Sequence, residues 1–132
     1  MLQGKKVVLC VTGGVAAYKA VELARQLLKG GAEVDVAMTE AATRFVAPLT
    51  FQALTHGPVA LDMFQLRQEM EIGHVSLAVK ADVIVVAPAT ANTIAKLAWG
   101  IADNMVTTTV LAATCPVVVA PAMESNMWSN GA

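Results

Sequence analysis

Two rhythms of apolar residues alternate along the chain. Residues 5–11 (KKVVLCV) form a β-branched run that ends at Thr12-Gly13-Gly14. From 15 to 29 the apolar positions, Val21, Ala24, Leu27 and Leu28 among them, recur at helical spacing. This order predicts a strand, a tight turn and a helix. Gly30-Gly31 stops the helix and residues 32–38 read as a second strand. Thr39 then stands where its hydroxyl can cap a helix opening at Glu40-Ala41-Ala42. A strand, helix, strand unit of this kind makes the two strands parallel.

Past Phe45 the pattern loosens. Pro48 can open a helix as far as Leu54 before His56-Gly57-Pro58 breaks it, and residues 59–71 carry no clear period. Residues 74–80 read as a short helix feeding 82–87, an almost wholly apolar run of the kind buried on both faces of a parallel sheet. A polar turn over 88–93, a helix over 94–99, a link over 100–103 and a helix over 104–113 follow. The fourth strand covers 116–120, with a turn at Pro121-Ala122-Met123 and a helical stretch to Trp128. The alternation predicts one α/β domain over 1–132, a doubly wound parallel sheet whose ligands lie outside the carboxyl ends of the strands. Four loops, 12–15, 39–41, 89–93 and 121–124, share that edge.

Composition adds an expectation about assembly. Of the 132 residues 56% are hydrophobic and 14% charged, more apolar surface than a small monomer can cover, which points to a subunit of an oligomer. The uncharged run from Asn104 towards Met123 is long enough to cross a bilayer, but its threonines and Pro116 favour a helix followed by a buried strand. Lys5 and Lys6 lead into a strand rather than a signal sequence, so a cytoplasmic location is expected. A net charge of −1 without a basic cluster argues against nucleic acid and anionic membranes as partners. Cys10 and Cys115 sit in apolar runs with no metal-ligand spacing, so buried thiols and no metal site are expected.

Candidate chemistry gathers at the strand ends. Thr12-Gly13-Gly14-Val15-Ala16-Ala17 puts glycines where a backbone can approach an anion at a helix N-terminus, although any strand-to-helix turn favours glycine and the full dinucleotide fingerprint is absent. Glu40 lies near where a nicotinamide site holds its ribose, which keeps a nicotinamide-dependent dehydrogenase open. Thr90, Asn92 and Thr93 offer three polar side chains between a buried strand and a helix, where capping alone needs one. His74 is the histidine near a strand-edge loop, and His56 reads as a turn residue. Met123, Met127 and Trp128 read as packing.

Four segments together resemble the homo-oligomeric flavin-containing cysteine decarboxylases. They are Val11 through Lys19, Met38-Thr39-Glu40-Ala41-Ala42 with Phe45-Val46, Ala87 through Thr93 with Gly100, Asp103 and Asn104, and Pro121-Ala122-Met123 with Met127-Trp128. The first segment and Gly73-His74-Val75-Ser76-Leu77 are most similar to the branch that acts on phosphopantothenoylcysteine, commonly fused to a phosphopantothenate-cysteine ligase. The resemblance implies a Rossmann-like flavoprotein fold and FMN held by Gly13, Gly14, Val15, Thr39, Glu40, Ala41, Thr90, Ala91, Asn92, Thr93 and Ala122. It implies His74 as the active-site histidine, a cysteine-derived small-molecule substrate near Met123, Glu124 and Met127, and a homotrimer or multiple of trimers. In that chemistry FMN oxidises the carbon bearing the thiol to a thioaldehyde, CO2 leaves, and the electrons return to give 4′-phosphopantetheine.

Two departures stand out. The family carries Asn where this chain has Glu124, and two carboxylates at ~4 Å with an effective dielectric near 20 repel by about 4 kcal/mol. Either Glu124 stays protonated, or it turns away and Asn126 reaches in. The family chain also continues into a last strand and a flap with a cysteine that neither Cys10 nor Cys115 matches. A flavin-binding regulatory or scaffold subunit without turnover is therefore the alternative reading.

Overall fold

The structure, a computed structural model, describes residues 1–62 and 74–132, and the side chains of His74 and Val75 lie outside that description. Its strands are β1 (Lys6–Val11), β2 (Glu33–Met38), β3 (Val59–Ala60), β4 (Val83–Ala89) and β5 (Val117–Pro121). The helices are α1 (Ala17–Lys29), α2 (Pro48–Thr55), α3 (His74–Lys80), α4 (Ala91–Trp99), α5 (Met105–Leu111) and α6 (Ser125–Ser129), with a 3-10 turn at Ala41–Arg44. The strands pair in parallel in the order β3-β2-β1-β4-β5. The chain winds outward from β1 through β2 to β3, then returns to the other side of β1 for β4 and β5. That reversal makes the gap between the ends of β1 and β4 the switch point of a doubly wound sheet.

Burial follows from strand alternation. Val7, Leu9 and Val11 face the layer of α1 and α2, where Ala17, Ala20 and Ala24 are buried and Phe51 is fully enclosed. Val8 and Cys10 face the opposite layer, with Leu77 of α3 and Met105 and Val106 of α5. Alanines at i, i+3 and i+7 on α1 let that helix lie close over the sheet. Burial pushes the Cys10 thiol up to about 12, so it stays protonated and inert. Cys115 is half-buried.

Several boundaries differ from the expectation. β3 is a two-residue strand at the start of the stretch that shows no period, and most of that stretch lies outside the described residues. The helix expected from Glu40 is one 3-10 turn, because Ala47 before Pro48 is extended (φ −66, ψ 138) and Pro48 opens α2. α1 starts at Ala17 rather than Val15. β4 runs on through Pro88 to Ala89, with a cis Ala87–Pro88 bond and a register shift against β5 there. The long uncharged run divides into α5 and β5, and among the described residues no helix is long and apolar enough to cross a membrane.

Candidate functional site

Thr12 joins the two central strands at the switch point. It is fully buried, its hydroxyl donates to the Pro88 carbonyl, and its Oγ1 accepts the Thr90 N–H at 3.1 Å. The bonds bring the end of β1 and the turn after β4 together. Thr12→Val keeps the shape but leaves a buried carbonyl and an N–H without their partner, at about 1–3 kcal/mol for each group. A loss of roughly 2–6 kcal/mol of unfolding free energy, read as a lower denaturation midpoint, is expected for Thr12→Val and little change for Thr12→Ser. Equal midpoints for the Val and Ser variants would show that the link carries no stability.

The other loops close round this point. Thr39 donates its N–H to the Val11 carbonyl at 3.1 Å, and its Oγ1 accepts the Ala42 N–H at 3.1 Å. The hydroxyl therefore caps the 3-10 turn as expected. The turn presses Ala41 onto Gly13 so closely that a Cβ on Gly13 would lie 2.4 Å from the Ala41 Cβ. Gly14 is different, since its Cβ would meet only the Thr90 methyl at 3.5 Å, an ordinary contact. On the far side the Ala122 N–H donates to the Ala89 carbonyl at 3.0 Å, fixing the end of β5 beside that of β4.

Residues 91–93 form the first turn of α4 rather than a free turn. Thr90 is the N-cap of α4: its Oγ1 accepts the Thr93 N–H at 3.2 Å and lies 3.2 Å from the Thr93 hydroxyl. Both threonines are thus occupied by the cap. What this segment offers a ligand is the exposed Asn92 side chain and the N–H groups of Ala91 and Asn92, which lack intrahelical partners and carry the positive end of the helix dipole. Glu124 caps α6 in the same manner, Oε2 accepting the Asn126 N–H at 3.0 Å and Oε1 the Ser125 hydroxyl at 3.4 Å.

Between these loops lies a cleft of about 790 Å3. Gly13, Gly14, Val15, Thr39, Glu40 and Ala41 line one part of it. Thr90, Ala91, Asn92, Thr93 and Ala122 line another, and Met123, Glu124 and Met127 complete the wall. Each of these candidates from the sequence is on that one surface. His74 opens α3, but its side chain is outside the described residues, and His56 caps α2 in the left-handed region (φ 58) away from the cleft lining. Ala16, Asp103 and Asn104, which the sequence motifs include without a site role, also line the cleft, as does Lys96, which no motif includes. Lys96 lies one turn after Asn92, so i, i+4 spacing on α4 could have found it. It is the one cation among the described lining residues, against the carboxylates of Glu40, Asp103 and Glu124, and it pairs with Asp103 at 3.0 Å. Among the described residues no group of three or more His, Cys, Asp or Glu could hold a metal.

Comparison with known proteins gives this surface a family. The model of the family described as Flavoprotein matches residues 1–132. The chain belongs to the flavoprotein family. This flavoprotein is 54% identical over 132 residues to the coenzyme A biosynthesis bifunctional protein CoaBC of Bacillus subtilis, a match covering 100% of this chain and 32% of that one. The flavoprotein chain therefore spans about a third of the length of the curated relatives it matches. Among solved structures it resembles the FMN-dependent cysteine decarboxylase SpaF, with a TM-score of 0.90 and 36% identity over 99% of this chain and 75% of that one. It also resembles a cysteine-to-serine variant of PPC decarboxylase complexed with pantothenoylaminoethenethiol, with a TM-score of 0.78 and 32% identity over 96% of this chain and 71% of that one. The doubly wound sheet expected from the sequence is the fold of these proteins.

Proposed function

We propose that the cleft holds FMN and that this chain carries the decarboxylation of 4′-phosphopantothenoylcysteine to 4′-phosphopantetheine in coenzyme A biosynthesis. The observation that carries the reading is the convergence on one cleft of four strand-end loops, far apart in sequence, in a chain 54% identical to CoaBC. The residues fit the cofactor. Val15, Ala122, Met123 and Met127 supply apolar wall for a planar ring, and the N–H groups of Ala91 and Asn92 suit a phosphate or a ring acceptor. Gly14 leaves open the space beside Thr90 that a side chain would fill. FMN supplies a two-electron acceptor for the carbon bearing the thiol, which makes the neighbouring carboxylate labile. The chain holds the flavin, excludes water and positions the carboxylate. The family match favours a flavin over the nicotinamide that Glu40 left open.

Val15, Tyr18, Met127 and Trp128 are exposed apolar residues, two of them in the cleft lining, and support a homotrimer or multiple of trimers in which a neighbouring copy completes the site. The bifunctional relatives support a fused or separate phosphopantothenate-cysteine ligase as partner, and the proposed setting is cytoplasmic. The purified chain is expected to be yellow, to release FMN identified by mass, to scatter light as a multiple of three and to liberate CO2 from the cysteine substrate. Bound FMN with no CO2 would favour the regulatory or scaffold reading, and a protein without flavin would overturn both.

Glu124 is the observation behind that second reading. Its side chain is exposed and tied to the α6 turn, so its repulsion of a substrate carboxylate acts through water rather than protein. At ~4 Å that is about 1 kcal/mol rather than the 4 expected at lower dielectric, a factor of five to ten in binding. Glu124→Asn keeps a capping side chain and removes the charge. It is expected to bind the substrate roughly five- to tenfold more tightly at low salt, with the gain shrinking at high salt by calorimetry. Equal affinity at both salt concentrations would show that Glu124 does not face the carboxylate.

A further inference from the structure

Residues 100–103 join α4 to α5 beside the cleft, and successive bonds tie them down. Gly100 closes α4 at φ 70, a backbone region that favours glycine, and the Ile101 N–H donates to the Lys96 carbonyl at 2.9 Å. The Ala102 carbonyl accepts the Thr108 hydroxyl at 3.3 Å. Asp103 is held by a side chain, Lys96 Nζ donating to its two carboxylate oxygens at 3.1 and 3.0 Å. The next residue, Asn104, caps α5: its Oδ1 accepts the Thr107 N–H at 2.9 Å, and its own N–H donates to Thr107 Oγ1 at 3.2 Å. A backbone N–H can only donate, so this bond orients the amide. Oδ1 is taken up by the helix cap, which leaves the NH2 as the end of the Asn104 side chain available to a ligand in the cleft that Asn104 lines. Such a donor matches a carbonyl or ring-nitrogen acceptor on the edge of a planar heterocycle.

We propose that Lys96 and Asp103 are positioning residues whose ion pair fixes the 100–103 link so that Asn104 presents its amide to the flavin. The inference rests on the flavin reading of the cleft and adds residues to it. A role in stability alone does not suit the pair, because the side chains are 25% and 54% exposed and pairs so placed contribute little to folding. The Arg25–Glu22 pair on α1, 3.7 Å apart and not in the cleft lining, is the internal control.

The test strips FMN from the protein, titrates oxidised FMN back by flavin fluorescence and melts the apo forms. Lys96→Met and Asp103→Asn are each expected to weaken FMN about tenfold, the worth of one oriented hydrogen bond. The double variant should be no weaker than either single, Lys96→Arg should recover most of the affinity, and the apo forms should melt with the Arg25→Met control. Tighter FMN binding by Asp103→Asn would show that Lys96 acts as a direct cation, overturning the positioning role. Unchanged affinity, or affinity lost in step with apo stability, would overturn it as well. A parent chain that binds no FMN would overturn the flavin reading itself.

Discussion

Gly14→Asp is expected to give a folded, colourless protein. The glycine has no positive φ to protect, and a Cβ there meets the Thr90 methyl at 3.5 Å, so the backbone accepts the side chain. The carboxylate then projects beside the start of α4, where the N–H groups of Ala91 and Asn92 are available to an anion. It competes for those donors and repels a phosphate, and one pair of unit charges at ~4 Å with an effective dielectric near 20 costs about 4 kcal/mol, roughly 10³ in affinity. Absorbance near ~450 nm, where bound flavin shows its own colour, should vanish while the circular dichroism and melting curve stay close to the parent's. Gly13→Ala should do the reverse, disturbing the fold through the 2.4 Å approach to Ala41. Stoichiometric FMN in purified Gly14→Asp would show that this loop does not hold the cofactor.

These two glycines show what can be read from a sequence and what cannot. The β-branched run of 5–11 and the apolar run of 82–87 are strongly enough patterned to mark the central strands, and with α1 between β1 and β2 they imply a parallel sheet and an edge where loops meet. The loops are then legible as a site because each strand ends in small or polar residues. Which glycine the fold itself requires depends on Ala41, 28 positions away from Gly13, a contact with no local signature. Thr12 is the same kind of case, a threonine in a turn whose partners lie 76 and 78 residues further on.

Boundaries failed where local preferences competed. Thr90 to Thr93 has the composition of a loop, yet Thr90 at the N-cap satisfies the Thr93 N–H and allows α4 to start at Ala91. β3 owes its existence to pairing with β2 at Val36 and Ala37, since two residues carry no period of their own. Lys96 has no signature of its own as a site residue, since a lysine in a helix usually marks a solvated face and its contact with Asp103 depends on the turn at Gly100. Glu124 was legible as a departure from the family, but its capping bond and exposure, which set the size of the repulsion, came from the fold.

His74→Asn is expected to leave FMN binding and folding intact and to lose roughly 10² to 10⁴ of the decarboxylation rate, the range of a positioned acid or base. The topology supports the residue that the resemblance names. α3 precedes β4 and runs opposite to it, so Lys80 lies near the amino edge of the sheet and His74, at the other end of the helix, lies towards the carboxyl edge where the cleft opens. Leu77 and Ala78 are buried against the sheet and anchor the helix in that direction. Seven helical residues rise about 10 Å, against about 23 Å for the seven of β4, so the helix start stands part of the way up the sheet. Proton control around a thiol and a carboxylate is work an imidazole can do near neutral pH and an amide cannot. His56→Asn is the matched control, because asparagine tolerates the left-handed conformation (φ 58) that His56 adopts at the exposed end of α2. Turnover measured as CO2 released per bound flavin should therefore collapse in one histidine variant and hold in the other. Near-parent turnover in His74→Asn, with flavin content unchanged, would assign His74 to packing and leave proton control to another group.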